Sequence, residues 1–565
     1  MALTGCCAAR LTGGPNNLSY FPLAMSGLVF WALRFQGWVG AMAAYELLND
    51  ALIRVVTTDG GHQALSLPAV YAELMADRIS AFAALRPHQR HAWHAFLVQV
   101  GALALHRAGI EEPLVTAEAW CSLLQGLTPE YPDNEPWSLV APLDKPALLQ
   151  PPVPEGQLDV LKNSFAAPDE IDMLVTAKNH DVKAARMTDA APDDWLFALV
   201  QLQTCEGFLG AGNYGVSRMN GGFANRPGIG IAPPGGPGAR VQRDLRRLLA
   251  LRPEMVAKHA YQPSGGLGLT WLRRWDGTIP LRLDELDPFY VEVCRRLRLV
   301  VTDGRLAARG VGSKGSRIAM PKELNGITGD PWVPIEVRDG NAAKALTVNA
   351  RGFHYRRLAD ILFHHDYLPA PLQRIGPDDG SQGLTLVCRA LARGKGKTEG
   401  LHERIVPISP IGAGLLRRGA TDPLAKLASD RIEDAGKLAS DVLRHALLVL
   451  FQNGPDPAEF KRDHAASKKR AEPFLARLDA EVDRTFFHAL WEEADHLDAP
   501  ELKAKARREW LSALRKIARA ILREAATGSP HSAVRHYRAR ALAEDAFEGR
   551  FAKTFPDVRE HADAA

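Results

Sequence analysis

The sequence predicts an α+β protein, a large mixed N-terminal domain followed by a C-terminal four-helix bundle. Beyond about Asp422 glycine becomes scarce and long heptad-like apolar segments take over. Upstream, strand-like and helix-like runs are mixed and separated by Gly, Pro, Asn and Asp turns. At 565 residues the chain also exceeds what one ordinary core organises. The expected divisions are 1–41, a leader or upstream extension that is disordered or not native; 42–420, the mixed domain; and 421–565, the bundle.

Composition is that of a globular protein, 46% hydrophobic and 24% charged. The 69 basic and 65 acidic residues leave a net charge of +4, so any nucleic-acid contact must come from local patches. Cysteines at 6, 7, 121, 205, 294 and 388 form no CxxC. That spacing argues against a disulfide framework or a Cys-rich zinc site and fits a reducing cytoplasm.

In the leader, Arg10, the apolar Phe21–Leu33 run and the AMA at Ala41–Ala43 mimic a secretory signal, but the run is too short and broken for a membrane span. The simpler expectation is that Met42 begins the domain proper. A strand over Leu52–Val56, a turn at Asp59-Gly60-Gly61, a second strand and a helix follow. Helices are expected over Arg86–Ala108 and Thr116–Leu124. His88, His91 and His94 fall on helical spacing, yet no carboxylate or cysteine accompanies them at metal-ligand spacing, so they read as amphipathic histidines near a helix start.

Pro132–Pro154 is proline-rich and reads as an extended loop or linker within the domain. Ile171–Val175 then delivers Thr176, Lys178, Asn179, His180 and Lys183 to one place, a set suited to phosphate or groove contacts. Asp194–Pro227 passes from an apolar helix ending near Glu206 into a glycine-rich loop. Gly210, Gly212 and Gly215 spell GxGxxG, but a dinucleotide site needs a strand before the motif and a helix after it, the reverse of this order. The loop therefore offers either a bare backbone to a large polar ligand, with Arg218, Asn220, Asn225 and Arg226 beside it, or a structural packing element.

Residues 228–330 carry Arg243, Arg246 and Arg247, then Arg295, Arg296 and Arg298, then Lys314, Arg317 and Lys322, solvated faces or a nucleic-acid path. A hairpin is expected around Asp339-Gly340-Asn341. A second is expected where the strand Leu384–Ala390 enters Arg393–Gly400 and leaves through His402, Glu403 and Arg404. GKT there fails the Walker pattern because Leu391 stands where glycine is required. A basic tip poor in side chains can instead enter a groove or wedge between bases. The bundle helices are expected over Lys426–Gln452, Ala471–Leu497, Glu501–Ala526 and Ser532–Phe551, the last with Arg535, Arg538 and Arg540 close together.

Five features resemble the large subunit of the type I-E CRISPR Cascade surveillance complex, the CasA family. They are LLNDALIRV (Leu47–Val55), KPALLQ (Lys145–Gln150), the glycine-rich centre, ARGKGKTEGLHER (Ala392–Arg404), and a helical bundle ending in RHYRARA (Arg535–Ala541). Leu52 and Arg54 replace the usual Trp and Pro, Leu148 stands where an aromatic is common, and the cysteine cluster of some members is absent, which removes a zinc expectation.

The resemblance implies a chain with no catalytic residues, metal or cofactor. Such a subunit joins CRISPR RNA-guided Cascade subunits, reads the protospacer-adjacent motif in double-stranded target DNA, starts unwinding and recruits a helicase-nuclease, with no membrane role. It also implies DNA contacts by Lys178, Asn179, His180 and Lys183, by Arg218 and Asn220, and by Lys314 or Arg317. The wedge hairpin would contribute Gly396, Lys397, Thr398 and Glu399, with Lys397 and Thr398 at a tip where the best-known version has glutamine. The bundle stripe Arg535, Arg538 and Arg540 would hold displaced or flanking DNA. Two other readings compete: a nonspecific DNA-binding scaffold, and a metal-dependent nuclease using His180 and Asp181 or the His364-His365-Asp366 group.

Overall fold

The computed structural model describes residues 44–154, 156–172, 187, 189–219, 224–338, 340–394, 397–528 and 533–559. Strand β1 (Ile53–Thr57) pairs antiparallel with β2 (His62–Leu65) and with β3 (Ile79–Phe82). In the turn between β1 and β2 the Asp59 carboxylate accepts from the Gly61 amide, the local bonding for which Asp is selected in turns. Helix α1 (Leu67–Met75) is capped by Ser66, whose hydroxyl accepts from Ala69 N, and carries Pro68 in its first turn.

Helix α2 (Arg90–Arg107) is buried on every face from His91 to Leu105. It is therefore a core helix rather than a surface one, and the expectation of amphipathic histidines is corrected. His88 Nε2 lies 2.8 Å from Asp172 Oδ2, and His94 Nε2 2.7 Å from Asp244 Oδ2. Burial, then the charge of Arg240, lowers the His94 pKa to about 4, so at neutral pH its Nε2–H donates to Asp244. Helix α3 (Ala117–Gln125) packs Trp120 flat on Tyr71 of α1, centroids 4.3 Å apart.

The proline-rich segment is not a linker. Ser138–Val140 pairs with Ala44–Glu46, and Ala147–Gln150 is buried. Arg298 reaches into it and donates to the carbonyls of Ala141, Pro142, Lys145 and Gln150 at 2.8–3.0 Å. Helix α4 (Pro192–Cys205) ends where the sequence places it, with Glu206 in extended conformation. Strand β4 (Gly228–Ala232) leads into α5 (Pro237–Lys258).

Asp77, just past α1, caps α5: its carboxylate accepts from Gly236 N at 2.8 Å and Ala239 N at 3.0 Å. This cap brings the end of α1 so close that a Cβ at Gly238 would lie 2.2 Å from Leu74 O. Backbone cannot yield as a side chain can, so Gly238→Ala is expected to lower stability by about 1–3 kcal/mol. The shift is read as an earlier urea midpoint at unchanged m-value.

Strands β5 (Arg296–Thr302) and β6 (Arg305–Val311) form a hairpin over Asp303-Gly304, both at positive φ. The hairpin expected around Asp339 is found, Ile335–Glu336 against Lys344–Ala345, although Asp339 lies outside the described residues. After α6 (Tyr355–Phe363), β7 (Thr385–Gly394) and β8 (Lys397–Pro407) make the long hairpin, with β4 on the far edge of β7. It extends four residues beyond the expected strand end.

The bundle opens with α7 (Asp422–Lys437), which passes through a π-helical stretch, Leu438–Leu443, into α8 (Arg444–Phe451). These span the first expected helix. α9 (Ala465–Ala494), α10 (Pro500–Thr527) and α11 (Ala533–Thr554) follow. One apolar core runs from β4, β7 and β8 through α6 into the helices, joining Ile231, Leu386 and Leu358 to Leu447, Phe486 and Leu514; a second surrounds α2 and α4. Met42–Ala565 holds together as one unit.

Candidate nucleic-acid interface

The long hairpin carries four of the expected site residues, Gly396, Lys397, Thr398 and Glu399. Its register runs regularly from Thr385↔Pro407 to Ala392↔Gly400, then slips, so that Arg393 faces Thr398 and Gly394 faces Lys397. The extra residue on β8 is a bulge, with Gly400 at φ 142, and a bulge bends a strand and re-aims its end. Two residues, Lys395 and Gly396, separate the strands. Thr398 is buried against β7 and Glu399 is exposed. The Lys397 side chain, like Gly396, lies outside the described residues, as do Lys178, Asn179, His180, Lys183 and Asn220.

Below the hairpin lies the glycine-rich loop. Gly210 and Gly212 take φ of 119 and 86, which favour glycine. A Cβ at Gly215 would meet the Gly207 carbonyl carbon at 2.5 Å. Gly212 packs on Gly312, and Ser313 N donates to Gly212 O at 3.0 Å, which sets Lys314 beside the loop. Lys314 is exposed, and its own amide is held by Gly277 O.

Two of the expected DNA contacts are buried. Arg218 is 1% exposed: its guanidinium lies 3.8 Å over the Tyr290 ring, donates to Tyr290 O at 3.0 Å and sits 3.6 Å from Asp330 Oδ2. Burial alone would lower its pKa, but Tyr290 and Asp330 raise it, so the charge is satisfied inside the protein. Arg317 is 2% exposed and donates to the carbonyls of Thr270, Arg273 and Arg274. Burial pushes its pKa down to about 10. Both guanidinia are turned to protein groups.

On the bundle, Arg535, Arg538 and Arg540 are all exposed, but Arg538 pairs with Asp456 at 2.7 Å and Arg540 with Glu544 at 3.3 Å. Arg535 has no ion pair among the described residues, and Tyr537, two positions further along the helix, is 71% exposed. An exposed aromatic face suits stacking on an unpaired base. The sequence analysis does not single out Tyr537, although it stands within the quoted RHYRARA. It also missed Glu206 and Arg393, for which the sequence offers no signal beyond a carboxylate at the end of an apolar helix.

The competing metal reading finds no group of three or more His, Cys, Asp or Glu side chains suited to a metal among the described residues. His365 faces Asp422 at the surface, and His364 lies 3.8 Å from Asp360. No helix among the described residues is long and apolar enough to cross a membrane.

Fold and site define an α+β body with a basic hairpin standing over a glycine-rich loop, backed by a helical bundle that shares its core. No family model and no curated protein matches the sequence. Solved structures do. CasA (Cse1) of Thermus thermophilus aligns over 90% of this chain and 99% of its own, at TM-score 0.58 and 15% identity. Cse1 of Acidimicrobium ferrooxidans aligns over 92% and 100%, at 0.59 and 17%, and Cse1 of Thermobifida fusca over 91% and 98%, at 0.58 and 15%. The chain has the CasA fold.

Proposed function

We propose that this chain is the large, non-catalytic subunit of a cytoplasmic RNA-guided surveillance complex. In this reading it recognises a short motif beside the target in duplex DNA, begins strand separation and recruits a helicase-nuclease. The observation that carries the reading is the bulged hairpin β7–β8, rooted beside the glycine-rich loop in a chain of CasA fold. A hairpin with a two-residue connection suits insertion beside a base step, where unstacking costs a few kcal/mol that protein contacts and the forming heteroduplex offset. A lysine at that tip serves a phosphate or a minor-groove acceptor, and the degeneracy of those acceptors makes the readout permissive. Burial of Arg218 and Arg317 leaves Lys314, Lys397 and the 173–186 segment, with Lys178 and Asn179, as the motif contacts. Arg535 and Tyr537 are then the bundle's contacts to displaced DNA.

The test is the affinity of the guide-loaded partner complex for target duplex, with and without this chain, on intact and scrambled flanking motif at fixed salt. The chain is expected to tighten binding only where the motif is intact. Equal tightening on both duplexes makes it a nonspecific clamp. Lys397→Ala is expected to weaken binding to motif-bearing DNA by about 5- to 150-fold, the ~1–3 kcal/mol of one groove contact, with association to the partner complex kept. Unchanged affinity would remove Lys397 from the interface.

A further inference from the structure

The hairpin and the glycine-rich loop are fastened to one buried carboxylate. Glu206, at the end of α4, has a fully buried side chain. Arg393 of β7 donates Nη1 to its Oε2 at 3.1 Å, Asn225 donates Nδ2 to its Oε1 at 3.0 Å, and Gln201 Nε2 lies 3.4 Å from Oε1. The backbone repeats the pattern. Val216 N donates to Glu206 O and Arg226 N to Cys205 O, both at 2.9 Å. Arg295 donates to Gly207 O at 3.1 Å and also to Tyr214 O. Both limbs of the glycine-rich loop are thereby closed on the end of α4.

Arg393 is also placed to steer the hairpin. It stands at the register slip, faces Thr398 and directly precedes Gly394, and its side chain is 3% exposed. Residues of the same two elements, Cys205, Asn225 and Arg226 with Arg389 and Leu401, line one cavity of about 10 Å³, so little free space separates them. A charge pair held where water is scarce tolerates little drift, because separating the charges leaves each one desolvated and alone.

We propose that Glu206 and Arg393 form a positioning pair that fixes the end of β7 against the glycine-rich loop, so that hairpin and loop meet one DNA duplex together. The proposal rests on the DNA-reading function above and deepens it. Neither residue touches DNA; each acts through the element it holds.

The test uses the full chain in its guide-loaded complex, with Glu206→Gln, Arg393→Lys, Arg393→Gln and the double E206Q/R393Q. The double variant leaves no unpaired buried charge and so guards against a single variant that fails to fold. Two readouts are taken: amide hydrogen exchange over 385–407 and 207–219, and the fluorescence of 2-aminopurine in the base pair next to the motif. E206Q and R393Q are expected to speed exchange in both segments at once. They should also lower the preference for intact over scrambled motif about tenfold, with loss of the 2-aminopurine signal. R393K, which keeps the charge, should retain part of that signal, and the double variant should be no worse than either single.

Unchanged exchange and full motif preference in folded variants overturn the proposal. If exchange speeds as expected but the parent complex shows no motif dependence, the DNA-reading function falls while the fastening of the two segments stands.

Discussion

Arg243→Ala is expected to lower the free energy of unfolding by about 3–5 kcal/mol, the cost of removing one partner from a buried ion pair. Arg243 projects from α5 with its guanidinium bonded all round. Nε and Nη2 bind the two oxygens of Asp379, each at 2.9 Å, in the fork geometry that arginine alone supplies. Nη1 donates to Asp244 Oδ1 and Leu372 O, and Nη2 also to Arg374 O, again at 2.9 Å. Alanine would strand Asp379 with little beyond the Gly376 amide, and would strip Asp244 of its nearest cation. Burial would by itself raise the Asp244 pKa, yet the His94 hydrogen bond and Arg243 outweigh it and keep the carboxyl ionised.

Urea unfolding followed by tryptophan fluorescence checks the magnitude. The control is Arg246→Ala, three residues along the same helix. Arg246 and its partner Glu112 have side chains 48% and 72% exposed, where ion pairs contribute about 0–1 kcal/mol. Similar effects for the two variants would overturn the assignment of Arg243 to the core.

That contrast marks the limit of what the sequence could tell. Arg243 and Arg246 read alike in it, as do Arg296, half-buried, and Arg298, which staples four carbonyls from within the core. Guanidinium burial depends on which backbone carbonyls converge from distant segments, a property of tertiary structure rather than of local pattern. The same holds for Arg218 and Arg317, whose partners lie 44 to 72 residues away in some of their bonds. What depended on local chemistry was readable: the end of α4, the Asp59 turn, the long hairpin and the bundle helices, each fixed by turn residues or apolar spacing. The histidines of α2 lay between these cases. Their helical spacing was plain, but a helix buried all round carries no amphipathic signature, so their burial was not.

Folding stability is expected to fall by about 3 kcal/mol between pH 4.5 and 7 through Glu292 alone. Its carboxylate accepts from Ser217 N at 2.6 Å and from Ser217 Oγ at 2.8 Å, and that hydroxyl also lies 3.0 Å from Tyr290 OH. Burial pushes the Glu292 pKa up to about 7, against the opposing pull of the Ser217 amide and Arg218. The ordinary value is 4.5. Below 4.5 folded and unfolded chains both hold the proton, and this group adds no pH dependence. Between 4.5 and about 7 the folded state holds more protons than the unfolded state, so stability declines as pH rises. Above about 7 the whole cost of the buried charge is present, at about 1.4 kcal/mol per pH unit of the difference.

Other carboxylates titrate in the same range, so the measurement is a difference between two proteins. Urea midpoints of the parent and of Glu292→Gln, taken from pH 4.5 to 8, should converge at the acid end and separate toward the alkaline end, with the Gln variant the more stable there. Parallel profiles would show that the carboxyl ionises without cost. Because Ser217 adjoins Arg218 at the foot of the glycine-rich loop, ionisation of Glu292 also changes what holds that loop, and amide exchange at Val216 and Ser217 should change over the same pH range.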